Sequence, residues 1–95
     1  MADVLTAKDL LEIVNELVHG DRPRDYGSPK ENSDRIIGIW KQILGIDITP
    51  RQFCWMMIGV KMARDVATPK DDNMIDTVGY VMYNQMIESE GQNES

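Results

Sequence analysis

The chain has 95 residues, 42% of them hydrophobic and 27% charged, with a formal net charge of −6. That is one globular domain near the lower size limit for a core without cross-links. A single cysteine, Cys54, excludes an intrachain disulfide, and the acidic balance excludes a general nucleic-acid surface, which rests on clustered cations facing phosphates.

The charge is uneven: −3 over residues 1–20, +2 over 21–67 and −5 over 68–95. A local cationic pocket for a small anion is therefore still permitted. The start, Met1-Ala2-Asp3-Val4, lacks the basic and long apolar regions of a signal peptide. The longest uncharged stretch, residues 77–87, is too short to span a bilayer. A cytoplasmic protein with no membrane partner is expected, and Cys54 among apolar neighbours reads as an inert buried thiol.

Four helices are punctuated in the sequence. Thr6 caps a first helix that carries Leu10, Leu11, Ile13, Val14, Leu17 and Val18 towards Gly20 as its stop. A loop over residues 21–27 follows. Ser28-Pro29-Lys30-Glu31 then has capping-box spacing with proline at the first helical position. The helix it opens places Ile36, Ile39, Trp40 and Ile43 at a 3.6-residue period and stops at Gly45. Thr49-Pro50-Arg51-Gln52 repeats the device. Its helix is apolar on nearly every side from Phe53 to Ala63, which predicts a central position, and Thr68-Pro69 ends it. The fourth helix starts near Asp71 or Asp72 and turns Met74, Ile75, Val78, Val81, Met82, Met86 and Ile87 to the core. After Glu88 a polar tail with Gly91 reads as frayed.

The expected fold is all-α, a four-helix bundle-like single domain over residues 1–95 with an ordered core of about 5–88. Three partners under-cover a helix that is apolar all round, so a homo-oligomer, most simply a two-fold dimer, is expected to complete it.

The polar residues gather in a pattern. Lys61 and Arg64 close the apolar run of the third helix, where an ammonium beside a packed interior needs an anion or hydrogen bonds. On the fourth helix Asp72, Asp76, Gly79 and Tyr80 are spaced by three and four, hence on one face. Fifteen residues and a helix break separate Lys61 from Asp76, which suits two antiparallel helices facing each other. Glu31, Asp34 and Arg35 occupy the first turns of the second helix and can join from there. Structural readings stand beside the functional ones. Asp72 is equally an N-terminal acid, Glu31 a capping-box acid, and Arg64 and His19 are cations at helix C-termini. Asp76, a turn into its helix, needs a partner such as Lys61 or Arg64 more than a metal. The loop with Arg22, Arg24 and Tyr26 is either a rigid turn or an anion cradle before a helix N-terminus.

Three motifs, Asp25-Tyr-Gly-Ser-Pro-Lys-Glu31-Asn32, Lys61-Met-Ala-Arg64 and Asp71-Asp-Asn73-Met-Ile-Asp76-Thr-Val-Gly79-Tyr80, resemble a family of small phage and prophage proteins of uncharacterised function over about residues 20–87. More distantly the pattern is similar to the all-α MazG-like nucleoside triphosphate pyrophosphohydrolases. That resemblance implies Mg²⁺ held by acids of two helices, with Glu31 and Asp34 as the first pair and Asn73 and Asp76 as the second. Asn73 stands where the family pattern has an acid, and further glutamates are missing. Octahedral Mg²⁺ completed by water and phosphate can use two or three carboxylates.

Three functions follow as expectations. In the first, a nucleoside triphosphate is hydrolysed, with Glu31 and Asp76 catalytic, Glu31, Asp34, Asp72 and Asp76 on the metal, and Lys61 or Arg64 steadying developing charge. In the second, Lys61, Arg64, Arg24, Tyr26 and Tyr80 bind a nucleotide or other phosphate-bearing molecule without chemistry, as a phage protein would to sequester one in the host cytoplasm. In the third, the acidic surface antagonises a host protein.

Overall fold

The computed structural model describes residues 4–19 and 29–94. They form four helices: α1 (Ala7–His19), α2 (Pro29–Leu44), α3 (Pro50–Ala67) and α4 (Asp71–Glu94). There is no strand among the described residues, so the expected all-α class holds.

The helix ends are those the local chemistry dictates. Thr6 Oγ1 accepts the Asp9 N–H at 3.0 Å. Thr49 Oγ1 accepts the Gln52 N–H at 3.1 Å while Gln52 Oε1 accepts the Thr49 N–H at 2.9 Å, a complete capping box. Gly45 adopts φ 72°, the left-handed geometry that closes a helix without a Cβ clash, and its N–H donates to Lys41 O at 2.8 Å. Thr68, extended ahead of Pro69, ends α3 and still donates its N–H to Arg64 O at 2.9 Å. Gly20 and Ser28 lie outside the described residues. α4 does not stop at 88 but continues through Gly91 to Glu94.

The core gathers Val14 and Val18 of α1, Ile48 ahead of α3, Phe53 and Cys54 of α3, and Ile75 and Tyr83 of α4. Rings knit three helices across it. Trp40 meets Phe53 at 5.5 Å, Phe53 meets Tyr80 edge-on at 6.1 Å, and Tyr80 meets Tyr83 edge-on at 5.9 Å. Phe53, 1% exposed, is the middle of this row.

One expectation is corrected. The helix that packs against all three others is α4, not α3. α3 buries Phe53, Cys54 and Ile58, but leaves Trp55, Met62 and Val66 exposed. Ile39 and Ile43 of α2, Leu11 of α1, and Met74 and Val81 of α4 are likewise exposed rather than buried. Apolar character at helical spacing marks a face that prefers cover; it does not say that this chain supplies the cover.

Candidate functional site

α3 and α4 run back to back through the short turn 68–70, and this brings Lys61 to Asp76. Their Nζ–Oδ2 distance is 3.0 Å, with the lysine side chain 13% exposed and the carboxylate side chain 40% exposed. The asymmetry matters: the ammonium is the desolvated partner and the carboxylate the wet one. A nearly buried cation leans on its anion far more than a hydrated carboxylate leans on its cation.

The pair opens into a pocket of about 150 Å³ lined by Leu17 and Val18 of α1, Lys61 of α3, and Asp76, Tyr80 and Tyr83 of α4. Gly79, one turn beyond Asp76, also lines it, and a Cβ built there would meet nothing within 4 Å. The face 72, 76, 79, 80 read from the spacing thus continues one turn further to Tyr83, which the sequence reasoning left out. Extending the same three-and-four spacing finds it. The contribution of α1 had no signal in the sequence beyond its apolar periodicity.

Other expected site residues are not brought to this pocket. Glu31 and Asp34 sit exposed in the first turns of α2, Asp72 is exposed at the start of α4, and Arg64 is exposed in the last turn of α3. None of them lines the pocket. Arg24 and Tyr26 lie outside the described residues. No group of three His, Cys, Asp or Glu side chains able to hold a metal exists among the described residues.

Asn73 has a different occupation. Its Nδ2 donates to Asp65 Oδ1 at 3.2 Å, and the same oxygen accepts the Lys70 N–H at 3.1 Å. An ionised acid at 73 has no hydrogen to donate, so the departure from the acidic pattern serves the α3–α4 corner. With Asp76 facing Lys61 and Asn73 facing Asp65, the described residues do not fit a Mg²⁺ centre.

A second recess, about 110 Å³, lies across α3 and α4 from Arg51 and Cys54 to Asn84. Burial, and secondly the Glu88 charge, pushes the Cys54 thiol up to about 11, so at neutral pH it is no nucleophile. Lys41 and Asp47 form an exposed pair at 2.7 Å whose mutual hydrogen bond raises the lysine and lowers the carboxylate. No helix among the described residues is long and apolar enough to cross a membrane.

A small all-helical domain, with one desolvated lysine meeting a carboxylate at an open pocket, is the class defined by the fold and the site. Residues 9–88 match the family described as a domain of unknown function, DUF6378, and the chain belongs to that family. It is 36% identical over 73 residues to the Gene 55 protein of Mycobacterium phage L5, a match covering 75% of this chain and 47% of that protein. It is 30% identical over 90 residues to the Gene 55 protein of Mycobacterium phage D29, covering 88% of this chain and 60% of that one. The chain therefore spans about half the length of the relatives it matches. No solved structure matches it. The likeness to small phage proteins is borne out, while its MazG-like extension finds no counterpart in these matches.

Proposed function

We propose that the protein binds a phosphate-bearing small molecule, a nucleotide in the first instance, in the pocket where Lys61 meets Asp76, and does so without hydrolysing it. The observation that carries this reading is the Lys61 ammonium, 13% exposed at the wall of an open pocket and matched by a carboxylate that is itself 40% exposed. A phosphate oxygen can take the place of Asp76 on Lys61 while Asp76 turns to water. Such an exchange swaps one anion for another and leaves no buried charge unpaired. Tyr80 and Tyr83 add ring surface beside which a base can lie. Sequestration of a host nucleotide or nucleotide signal is the role a phage binder of this kind would serve.

The MazG-like alternative requires Glu31 and Asp34 to converge with Asp72 and Asp76 on Mg²⁺. Dispersal of those acids among the described residues favours binding over turnover. The test is a nucleotide panel with and without Mg²⁺, read by pyrophosphate release and by ligand-induced thermal shift. A shift that weakens with salt, without release, is expected. Release of pyrophosphate would replace the binder by the hydrolase. No shift and no heat with any nucleotide would reduce Lys61–Asp76 to a structural ion pair.

A further inference from the structure

A glycine stands in the wall of the lysine pocket where the fold gives no reason for one. Gly79 lies inside α4, which runs unbroken from Asp71 to Glu94. Glycine is the poorest helix former after proline, because its backbone loses the most freedom on ordering. A helix keeps one for a left-handed φ, for a stop, or for a neighbour pressed against the Cα atom. None of these applies. Among the described residues only Gly45 has a positive φ, α4 continues past Gly79 to Glu94, and a Cβ built at 79 meets no neighbouring helix within 4 Å.

Gly38 and Gly59 are equally unconfined, but neither lines this pocket. At 79 the missing side chain has a consequence. Asp76, nearly one turn before it, and Tyr83, about one turn after it, share its face of α4, and all three line the pocket. About 10 Å of helix axis separates positions 76 and 83, and midway along it the pocket wall is bare backbone. The rings beside it are anchored elsewhere: Tyr80 lies edge-on to Phe53 at 6.1 Å and to Tyr83 at 5.9 Å. A volume of about 150 Å³ is that of a cavity able to take up one benzene molecule.

We infer that Gly79 is the specificity-determining position of this pocket: the flat ring of the ligand lies against its bare backbone, so that the site selects a nucleotide over a phosphate that carries no ring. The inference rests on the phosphate reading above and divides its labour. Lys61 takes the phosphoryl group, whichever molecule carries it, and the ring contact at Gly79 adds the preference. Close approach of a ligand to backbone is a use of glycine that no larger residue can fill. Leu17 and Tyr83 supply apolar edges around a ring placed there. A methyl at 79 stands where the ring lies, and dispersion contact loses up to half its strength with about 1 Å of lost approach.

Calorimetry with inorganic phosphate, ribose 5-phosphate and the 5′-monophosphates of adenosine and uridine tests it, beside a thermal melt of each ligand-free variant. The natural chain is expected to bind both nucleotides about tenfold or more tighter than ribose 5-phosphate, the effect of burying part of one ring. Gly79→Ala should bring the nucleotides down to the ribose 5-phosphate level and leave ribose 5-phosphate unchanged. Its melting temperature should rise, since alanine is the better helix former, and a loss of selectivity in a more stable protein is not damage to the fold. Gly38→Ala should also melt higher, with selectivity intact. A natural chain that binds ribose 5-phosphate as tightly as the nucleotides overturns the inference and leaves the phosphate reading standing. So does a Gly79→Ala variant that keeps the preference, or one that melts lower, which would show that the fold itself needs the glycine. If none of the four probes binds the natural chain, both readings fall.

Discussion

Asn73 and Asp65 are tied across the α3–α4 corner, amide nitrogen to carboxylate oxygen at 3.2 Å, with the Lys70 backbone N–H on the same oxygen. One side chain thus closes a turn and fixes how far α4 slides along α3. The register that brings Asp76 opposite Lys61, fifteen residues away in sequence, is set at this corner. Asn73→Asp would replace a donor by a second negative charge facing Asp65. A loss of about 1–3 kcal/mol is expected, seen as a lower melting temperature. An unchanged melt would show that the corner is held elsewhere.

The Lys61–Asp76 pair predicts unequal single variants. Asp76→Asn strands an ammonium that is 13% exposed, whereas a Lys61→Met variant strands a carboxylate already 40% in water. Partial exposure brings the first below the 3–5 kcal/mol of a deeply buried pair, to about 1–2 kcal/mol, and the second close to zero. Chemical denaturation of both variants reads the difference. Equal losses would contradict the asymmetry on which the proposed pocket depends. Lys61→Met should also abolish the nucleotide-induced thermal shift while the fold remains.

Phe53, 1% exposed between Trp40 and Tyr80, is the least replaceable ring. Phe53→Ala is expected to cost about 3–5 kcal/mol through the cavity it leaves. A domain of this size has few kcal/mol to lose, so the variant should melt near or below room temperature in a thermal scan.

Cys54 gives a pH dependence with a definite sign. Its thiol is pushed from 9.0 to about 11 in the folded state, first by burial and then by Glu88. The folded protein therefore holds that proton more tightly than the unfolded chain, and this contribution is complete below about pH 9. Stability should fall as pH rises from about 9 to 11, and should do so less in Cys54→Ala. Alkylation of the native thiol at pH 8 should be far slower than that of the unfolded chain.

What could be read in the sequence was local. Thr6, Thr49, Gly45 and Thr68-Pro69 act through hydrogen bonds and dihedrals within one turn, so residue type and spacing suffice. Lys61 opposite Asp76 was also legible, because both sit one to two turns from the same tight corner. The hub helix was not. α4 spreads Val78, Ile75, Tyr83 and Tyr80 over about half its circumference, where it faces three neighbours, and such spreading looks weaker on paper than the unbroken apolar run of α3. The donor role of Asn73 was hidden as well. Its partner lies eight residues back across a turn, and the motif pattern pointed to an acid instead.

The three helical glycines with open space over their Cα atoms, Gly38, Gly59 and Gly79, have a bearing on how this domain could be improved by protein engineers. Alanine at each would gain about 1 kcal/mol of helix propensity without a clash inside one copy. Position 38 is the free gain. At 79 the added methyl projects beside the lysine pocket, and at 59 it stands on the exposed side of α3. A hardened variant combining all three should therefore trade ligand capacity for heat resistance, and the Gly38→Ala change alone should raise thermal tolerance with that capacity retained.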